Sequence, residues 1–464
     1  MKTLNKIAAL GISLAVVISC AERFDELDVN PNDPVDAPLG AVMTSALVGM
    51  IQPLEGEDAR LAGIWSRQFT GAAVQYAGFE VYNINSENFD WSGFYYSSRQ
   101  QAIIAEAKAQ EEGNSFYLGL SQVIQAIMSG NCTALYGDIP FTEANNLEEF
   151  PDPKYDEQQD VYAGVQSLLD DAINNFSTGS GTDVYGVDFL YNGDAGKWIA
   201  AAYSLKARYY LHVGDYPSAL SAAQQGISSA DNDLLIPHGE TYNQDLNIYN
   251  SFGTQDRQGN MTASEAYLPR LLDPNAAESR DDAKTMEGER FAAYYIIDGD
   301  SLYDLNYGGY WAPSASFPII NAVETKLIIA ECEIRSGGGA GAALTSLNEV
   351  RGILDDKYNI DSTSIAKYDD YDLSDFDNGG IADNGKGNTT DNLLYEILEE
   401  KYISLVGQHE IFNDVRRTDN FLGLSPTQGA QIPERFLYPQ EEVDANANTP
   451  TPIPDIFSPT DVNQ

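Results

Sequence analysis

Between residues 194 and 228 the chain spells out two helices and the turn that joins them, and this pattern restricts the fold more than any other feature. Asp194 is placed to cap a helix whose apolar residues Trp198, Ala202, Leu205 and Tyr209 share one face. The helix stops at Val213-Gly214, and Asp215-Tyr216-Pro217-Ser218-Ala219-Leu220 opens another that is expected to last to about Ser228. Glycine past one helix and proline at the opening of the next suit a left-handed stop and a first turn that needs no donor. Gly-Asp-Tyr-x-x-Ala-Leu at such a junction resembles the tetratricopeptide turn. The design recurs. Residues 323–335, with Leu327, Ile328 and Ala330 inward, meet Gly337-Gly338-Gly339, and residues 342–351 run back. Val165, Leu168, Leu169, Ala172, Ile173 and Phe176 stripe an earlier helix, and Ile397, Leu398 and Leu405 a later one over 393–406. Helix pairs like these cannot bury their faces alone. The expected fold is therefore mostly α, about four stacked tetratricopeptide-like pairs carrying long irregular loops with minor β structure.

The loops are residues 231–322, which mix Tyr, Asn, Gly and Pro with little period, and residues 355–391, acidic and dotted with Gly. Loops of this length in a folded body usually carry function or are partly disordered. At the start, Lys2 and Lys6 precede an apolar run over 7–18, then small Ser19 and Cys20. That is the order of a secretory signal, with an apolar core too short to span a bilayer. Val17-Ile18-Ser19-Cys20 resembles a bacterial lipobox, in which the Cys becomes the acylated N-terminus. Several acyl chains anchor a protein durably. Residues 1–19 are thus expected to be a lipoprotein signal peptide, 20–40 the lipidated Cys20 and a polar, Pro-bearing tether, and 41–464 a single helical domain with ligand-binding loops.

Charge narrows the function. Asp and Glu number 70 against 26 Lys and Arg, a formal charge of −44, and loss of Lys2 and Lys6 makes it −46. Such a field repels a phosphate backbone, which excludes nucleic acid, and it disfavours sulfated or uronic ligands. The three histidines, His212, His238 and His409, are scattered, and there is no HExxH or GxSxG. Gly193-Asp194-Ala195-Gly196-Lys197-Trp198 lacks the first Gly of a phosphate loop and has Trp where Ser or Thr should meet magnesium, so it reads as a helix start. With 70 carboxylates, close pairs carry no information about glycosidase chemistry. Asp298, Asp300 and Asp304, or Asp375 and Asp377, lack the spacing of a calcium loop. Cys132 and Cys332 sit in apolar helical segments and read as buried free thiols, although spacing does not decide pairing. No metal or cofactor is expected.

Aromatics are the better lead. Tyr82, Asn83, Asn85, Asn88, Phe89, Trp91, Phe94, Tyr95 and Tyr96 form one cluster; Tyr303, Asn306, Tyr307, Tyr310, Trp311 and Phe317 form a second. Rings beside amides suit the apolar face and hydroxyl rim of a sugar. Trp91 and Trp311, helped by Tyr82, Asn83 and Tyr310, are the expected ligand contacts. This requires two loops distant in sequence to meet.

Seven motifs in order resemble the SusD/RagB family of Bacteroidetes outer-membrane lipoproteins. They are the lipobox; Leu27-Asp28-Val29-Asn30-Pro31-Asn32; Tyr136-Gly137-Asp138-Ile139-Pro140-Phe141; Leu205 to Leu211 with Gly214-Asp215-Tyr216; Val323-Glu324-Thr325-Lys326-Leu327 with Ala330-Glu331; Glu399-Glu400-Lys401-Tyr402 with Phe412-Asn413-Asp414-Val415-Arg416-Arg417; and Arg435-Phe436-Leu437-Tyr438-Pro439. The Asn-Pro-Asn tether and the stretch from Gln75 to Trp91 are most similar to the branch labelled SusD-like type two. Gly407-Gln408-His409-Glu410 departs from the family, inverting its usual Glu-Gly order. The resemblance implies a SusD-like fold and a non-catalytic, lipid-anchored protein on the cell surface. Such a protein binds oligosaccharide at the outer membrane and delivers it to a SusC-like TonB-dependent transporter. A peptide ligand, as for RagB-like members, and a surface-anchored glycosidase are the alternatives. The acidic residues after Cys20, Glu22, Asp25 and Glu26, resemble the family's surface-export signal. Cys20→Ala is expected to release the protein from the membrane fraction with ligand binding intact; retention in the membrane would contradict the lipid anchor.

Overall fold

Side-chain caps start several of the scaffold helices. Asp194 accepts from the Lys197 amide at 3.1 Å, Asp215 from Ser218 at 3.2 Å, Asn321 from Glu324 at 2.8 Å and Asn388 from Asp391 at 3.0 Å. Each satisfies a first-turn donor that has no partner within the helix. The computed structural model describes residues 37–299, 302–359 and 366–464; Cys20, the signal segment and most of the tether lie outside them.

The elements that matter here are α1 (Leu39–Gly49), α2 (Glu57–Trp65), α3 (Gln100–Glu112), α4 (Ser115–Tyr136), α5 (Gln158–Thr178), α6 (Ala195–His212), α7 (Tyr216–Ala223), α8 (Ala322–Arg335), α9 (Ala340–Tyr358), α10 (Thr389–Ser404), α11 (His409–Arg417) and α12 (Gln440–Ala445). The first described helix begins at Leu39, so the folded body takes in the end of the stretch assigned to the tether. Helices α4/α5, α6/α7, α8/α9 and α10/α11 are four consecutive pairs, with α5 packed on α6, α7 on α8 and α8 on α10. The last pair is loose, because α11 packs chiefly on α2. Helix α7 ends at Ala223, short of the expected Ser228, since the chain turns to give the Ile227 amide to Ser204 Oγ at 2.8 Å. Helix α9 outruns its expected end at 351 because Leu354 and Tyr358 continue the buried face of Leu347 and Val350.

The long stretch 231–322 is more structured than its composition suggests. Leu234–Ile236 pairs antiparallel with Phe317–Ile320, Ile236 opposite Phe317, and Tyr295–Ile297 pairs with Tyr303–Leu305. Tyr249, Tyr294, Tyr295 and Trp311 from this stretch are fully buried. Thr285–Met286 pairs with Lys367–Tyr368. Cys132 and Cys332 are both buried and unpaired.

The scaffold buries charge as well as apolar surface. Arg417 of α11 donates to both oxygens of Glu331 on α8, at 2.8 and 2.6 Å, and Arg335 adds a third bond at 2.7 Å. Arg208 of α6 grips Glu324 of α8 with two bonds of 2.6 Å. Glu410 of α11 accepts from His212 Nε2 at 3.0 Å, with Lys401 of α10 at 3.6 Å. The Tyr162 hydroxyl donates to the other ring nitrogen of His212 at 2.9 Å. All four pairs are thus tied through one buried network. Burial alone would raise the Glu331 carboxyl, but the Arg417 charge and its hydrogen bonds, with Arg335, hold it down at about 2. Removing one partner strands a buried charge, which typically costs about 3–5 kcal/mol.

A second buried cluster sets Arg280 and Arg290 among Glu287, Glu396, Glu399 and Glu400. Here carboxylates outnumber guanidiniums. Burial pushes Glu396 and Glu399 up against the pull of Arg280, and it lifts Asp233 to about 6. Glu331→Ala should therefore lower unfolding free energy by about 3–5 kcal/mol in urea titration. Wild-type stability should peak at about pH 4 to 4.5, between the gain from Glu331 and the loss from Asp233. On the acid side, Glu331 is near 2 folded and 4.5 unfolded, so its contribution is lost as pH falls from 4.5 toward 2. On the alkaline side, a raised carboxyl such as Asp233 loses its contribution as pH climbs from 3.8 to about 6. A midpoint unchanged in Glu331→Ala, or flat from pH 5 to 2.5, would contradict this account.

Candidate ligand-binding groove

The groove grows from Tyr136-Gly137-Asp138-Ile139-Pro140-Phe141. Gly137 takes φ +81°, a backbone setting that favours glycine, and ends α4. Asp138 then accepts the Gln158 amide at 2.8 Å at the start of α5. The Asp156 carboxylate receives the Phe141 and Thr142 amides at 2.9 and 2.8 Å. These bonds fix one wall, running from Pro140 through the 144–148 loop.

The opposite wall is the segment from Asp90 to Gln100, of which Gly93–Arg99 is π-helical. Such wide turns are rare and concentrate at functional sites. Tyr95 donates its hydroxyl to the Pro140 carbonyl at 2.7 Å, and Asn145 returns a bond to the Tyr95 carbonyl at 3.1 Å. Buried Arg99 lies 5.2 Å over the Phe141 ring and donates to Asn145 Oδ1 and the Phe141 carbonyl. The two walls are thereby clamped together from behind. A third side comes from Pro439 and α12, where Glu442 accepts from Tyr155 at 3.2 Å and Asn446 at 2.7 Å.

Between these walls is a cavity of about 730 Å³, within the range of roughly 300–1,000 Å³ common for ligand clefts. Trp91, Tyr95, Tyr96, Pro140, Leu147 and Pro439 make its apolar lining. Gln100, Asn145 and Asn146 add amides, and Asp90, Glu148, Glu441 and Glu442 add carboxylates. Tyr96 is 72% exposed and Leu147 68%, unusual for large apolar side chains. Trp91 is only 8% exposed, buttressed by Tyr136 at 5.3 Å and Tyr95 at 5.4 Å. The indoles of Trp65, Trp198 and Trp311 donate to Phe79 O, Asp188 and Tyr294 O at 3.1, 2.8 and 2.9 Å. Among the described residues, only the Trp91 indole N–H has no acceptor. This donor, on a residue that lines the cavity, is free to meet an acceptor on a ligand or water.

The other expected contacts lie elsewhere, and Trp311 requires correction. It is 1% exposed, its ring against Tyr249 at 4.6 Å and Phe69 at 5.6 Å, so it is core and does not reach a ligand. Its far edge explains Gly407: a Cβ there would stand 2.7 Å from the Trp311 ring, and φ is +78°. Tyr310 meets Tyr294 and Trp311 edge-on and lines a separate cavity of about 810 Å³, with Lys357 Nζ 5.7 Å over its ring. Tyr82 is half-buried between Trp65 and Phe457 and accepts the Thr427 amide at 3.0 Å, while Asn83 is exposed; neither lines the groove. The two aromatic clusters therefore do not share a site. Tyr96 belongs to the first aromatic cluster but is not among the expected contacts, and Leu147, Asn146 and the α12 glutamates that also line the groove lie outside both clusters. Among the described residues, no three His, Cys, Asp or Glu side chains converge to hold a metal ion, and no helix is long and apolar enough to cross a membrane.

Helix pairs with a groove hung on their loops define a class of binding protein, and comparison with known proteins gives that class its family. Residues 31–439 match the SusD-like family described as "Starch-binding associating with outer membrane", and the chain belongs to it. A SusD/RagB family protein from Bacteroides thetaiotaomicron superposes with a TM-score of 0.67 at 21% identity, over 89% of this chain and 95% of that one. A SusD homolog from Parabacteroides distasonis reaches 0.70 at 16% identity, over 92% and 98%. A chitin-binding SusD homolog from Flavobacterium johnsoniae reaches 0.65 at 16% identity, over 91% and 98%. At these identities the likeness shows the fold. No curated protein matches. Trp311→Ala should cost about 3–5 kcal/mol in denaturant titration, as expected for an emptied core site. A near-neutral effect would contradict its core role.

Proposed function

We propose that the protein is a non-catalytic, lipid-anchored binder that captures oligosaccharide in the Trp91–Tyr96 groove at the cell surface and delivers it to a SusC-type TonB-dependent transporter. Membership of the SusD-like family supports the location and the partner. The observation that carries the ligand class is the pairing of an exposed aromatic ring, Tyr96, with a nearly buried indole whose N–H lacks an acceptor.

A hydrogen bond to sugar replaces one to water and gains little, about 0.5–1.5 kcal/mol net. A flat ring adds burial of sugar C–H surface, at roughly 25 cal/mol per Å². Donor, rings and amides together match the alternating polar and apolar faces of a pyranose chain better than a peptide, whose backbone asks for a strand edge or paired amides. Binding of this sort needs no acid or base. The groove carboxylates give a glycosidase reading its one foothold, so the test includes turnover.

Calorimetry against a panel of neutral oligosaccharides should find a ligand with micromolar to millimolar affinity and no release of reducing ends on prolonged incubation. Trp91→Ala and Tyr96→Ala should each weaken that binding by about tenfold or more, a loss of about 1.4 kcal/mol. Wild-type affinity in both variants, with the fold intact, would overturn the site; hydrolysis would overturn the non-catalytic reading.

A further inference from the structure

Four carboxylates line the groove, on Asp90, Glu148, Glu441 and Glu442, and no Lys or Arg does. The nearest cations are spent elsewhere. Arg99 lies behind the wall, bonded to Asn145 and the Phe141 carbonyl. Lys154, next to the lining Pro153, is paired with Glu143 at 3.0 Å. The larger Tyr310 cavity, by contrast, has Lys326 and Lys357 in its lining. Glu148 and Glu441 form no ion pair with any described residue, and the Asp90 carboxylate accepts only from Ser92, at 2.7 and 2.9 Å.

An acidic rim is common on a chain of charge −44 and by itself names no ligand. This rim, however, surrounds a built cleft. Its floor is the Trp91 indole, more than nine-tenths buried, with an N–H that has no acceptor among the described residues. A ligand seated there must offer an acceptor and an apolar face to the floor while its periphery meets carboxylates. A pyranose chain carrying primary amines does both. Ring and hydroxyl oxygens meet the indole N–H, and protonated amines meet the rim.

We infer that the groove selects hexosamine glycans with unacetylated amino groups over neutral glycans, and rejects uronic or sulfated ones. This rests on the oligosaccharide reading above. Exposed ion pairs are individually weak, and salt screens them. Two or three acting together should give a preference of roughly fivefold to tenfold, and one that fades with salt.

The test uses the mature protein and calorimetry at about pH 5.5, where the sugar amines are protonated. The probes are glucosamine hexamer, N-acetylglucosamine hexamer, cellohexaose and a galacturonic acid hexamer. Glucosamine hexamer should bind roughly fivefold to tenfold tighter than cellohexaose in dilute buffer, and the ratio should shrink toward one in about 0.5 M salt. In the double variant Glu148→Gln/Glu441→Gln the same ratio should collapse in dilute buffer. Equal or tighter binding of the neutral or galacturonic hexamer would overturn the charge selection and leave the oligosaccharide function standing. So would a ratio that survives both salt and the double variant. Binding of none of the four would overturn the selection, and failure of the neutral panel as well would overturn the function with it.

Discussion

Glu331 and Glu410 are the carboxylates on which the rest of the scaffold depends. Each is buried, on a different helix, and each is held from other helices: Arg417 reaches the first, which also takes Arg335 from one turn further along its own helix, and His212 and Lys401 reach the second. A buried ion pair is not a cheap way to gain stability, since apolar side chains of equal volume often do as well. What it supplies is geometry. A bidentate Arg–carboxylate contact such as Arg417 to Glu331 fixes distance and angle together. The helices that bear these groups are accordingly set at one register, and the loops they carry begin from fixed points.

This separates scaffold from recognition. The stretches Leu205 to Leu211, Ala330-Glu331, Glu399 to Tyr402 and Phe412 to Arg417 supply the network residues. Their chemistry is consumed inside the molecule. The groove draws instead on Asp90 to Gln100, the 144–148 loop and α12. Only Tyr136 to Phe141 serves both, ending α4, capping α5 and presenting Pro140 to the cavity. Recognition can thus vary in its loops while the helices stay put.

Much of the helical frame could be read from the chain, because caps and apolar stripes are local. Asp194 and Asp215 announce their helices by residue type alone. The site was legible only in part. Both Trp91 and Trp311 sit among aromatics, Asn and Gly, and nothing local separates them. What does so is tertiary: Trp311 finds the Tyr294 carbonyl and a glycine at 407 that leaves room for its ring, whereas Trp91 faces a cavity. Glu441 and Glu442 come from a helix more than 300 positions after Trp91, and no spacing rule joins them. The inverted Gly407-Gln408-His409-Glu410 has a physical reason of the same long-range kind, since Gly407 admits Trp311 and Glu410 enters the buried network.

The central claim is that recognition is confined to the Trp91–Tyr96 groove, outside the charge-locked scaffold. Hydrogen exchange of the mature protein, with and without a bound oligosaccharide, tests it most directly. The account predicts slowed exchange in residues 90–100, 140–148 and 439–445, with the segment around Tyr310 unchanged. Protection centred on residues 303–317, with the groove segments unaffected, would contradict it.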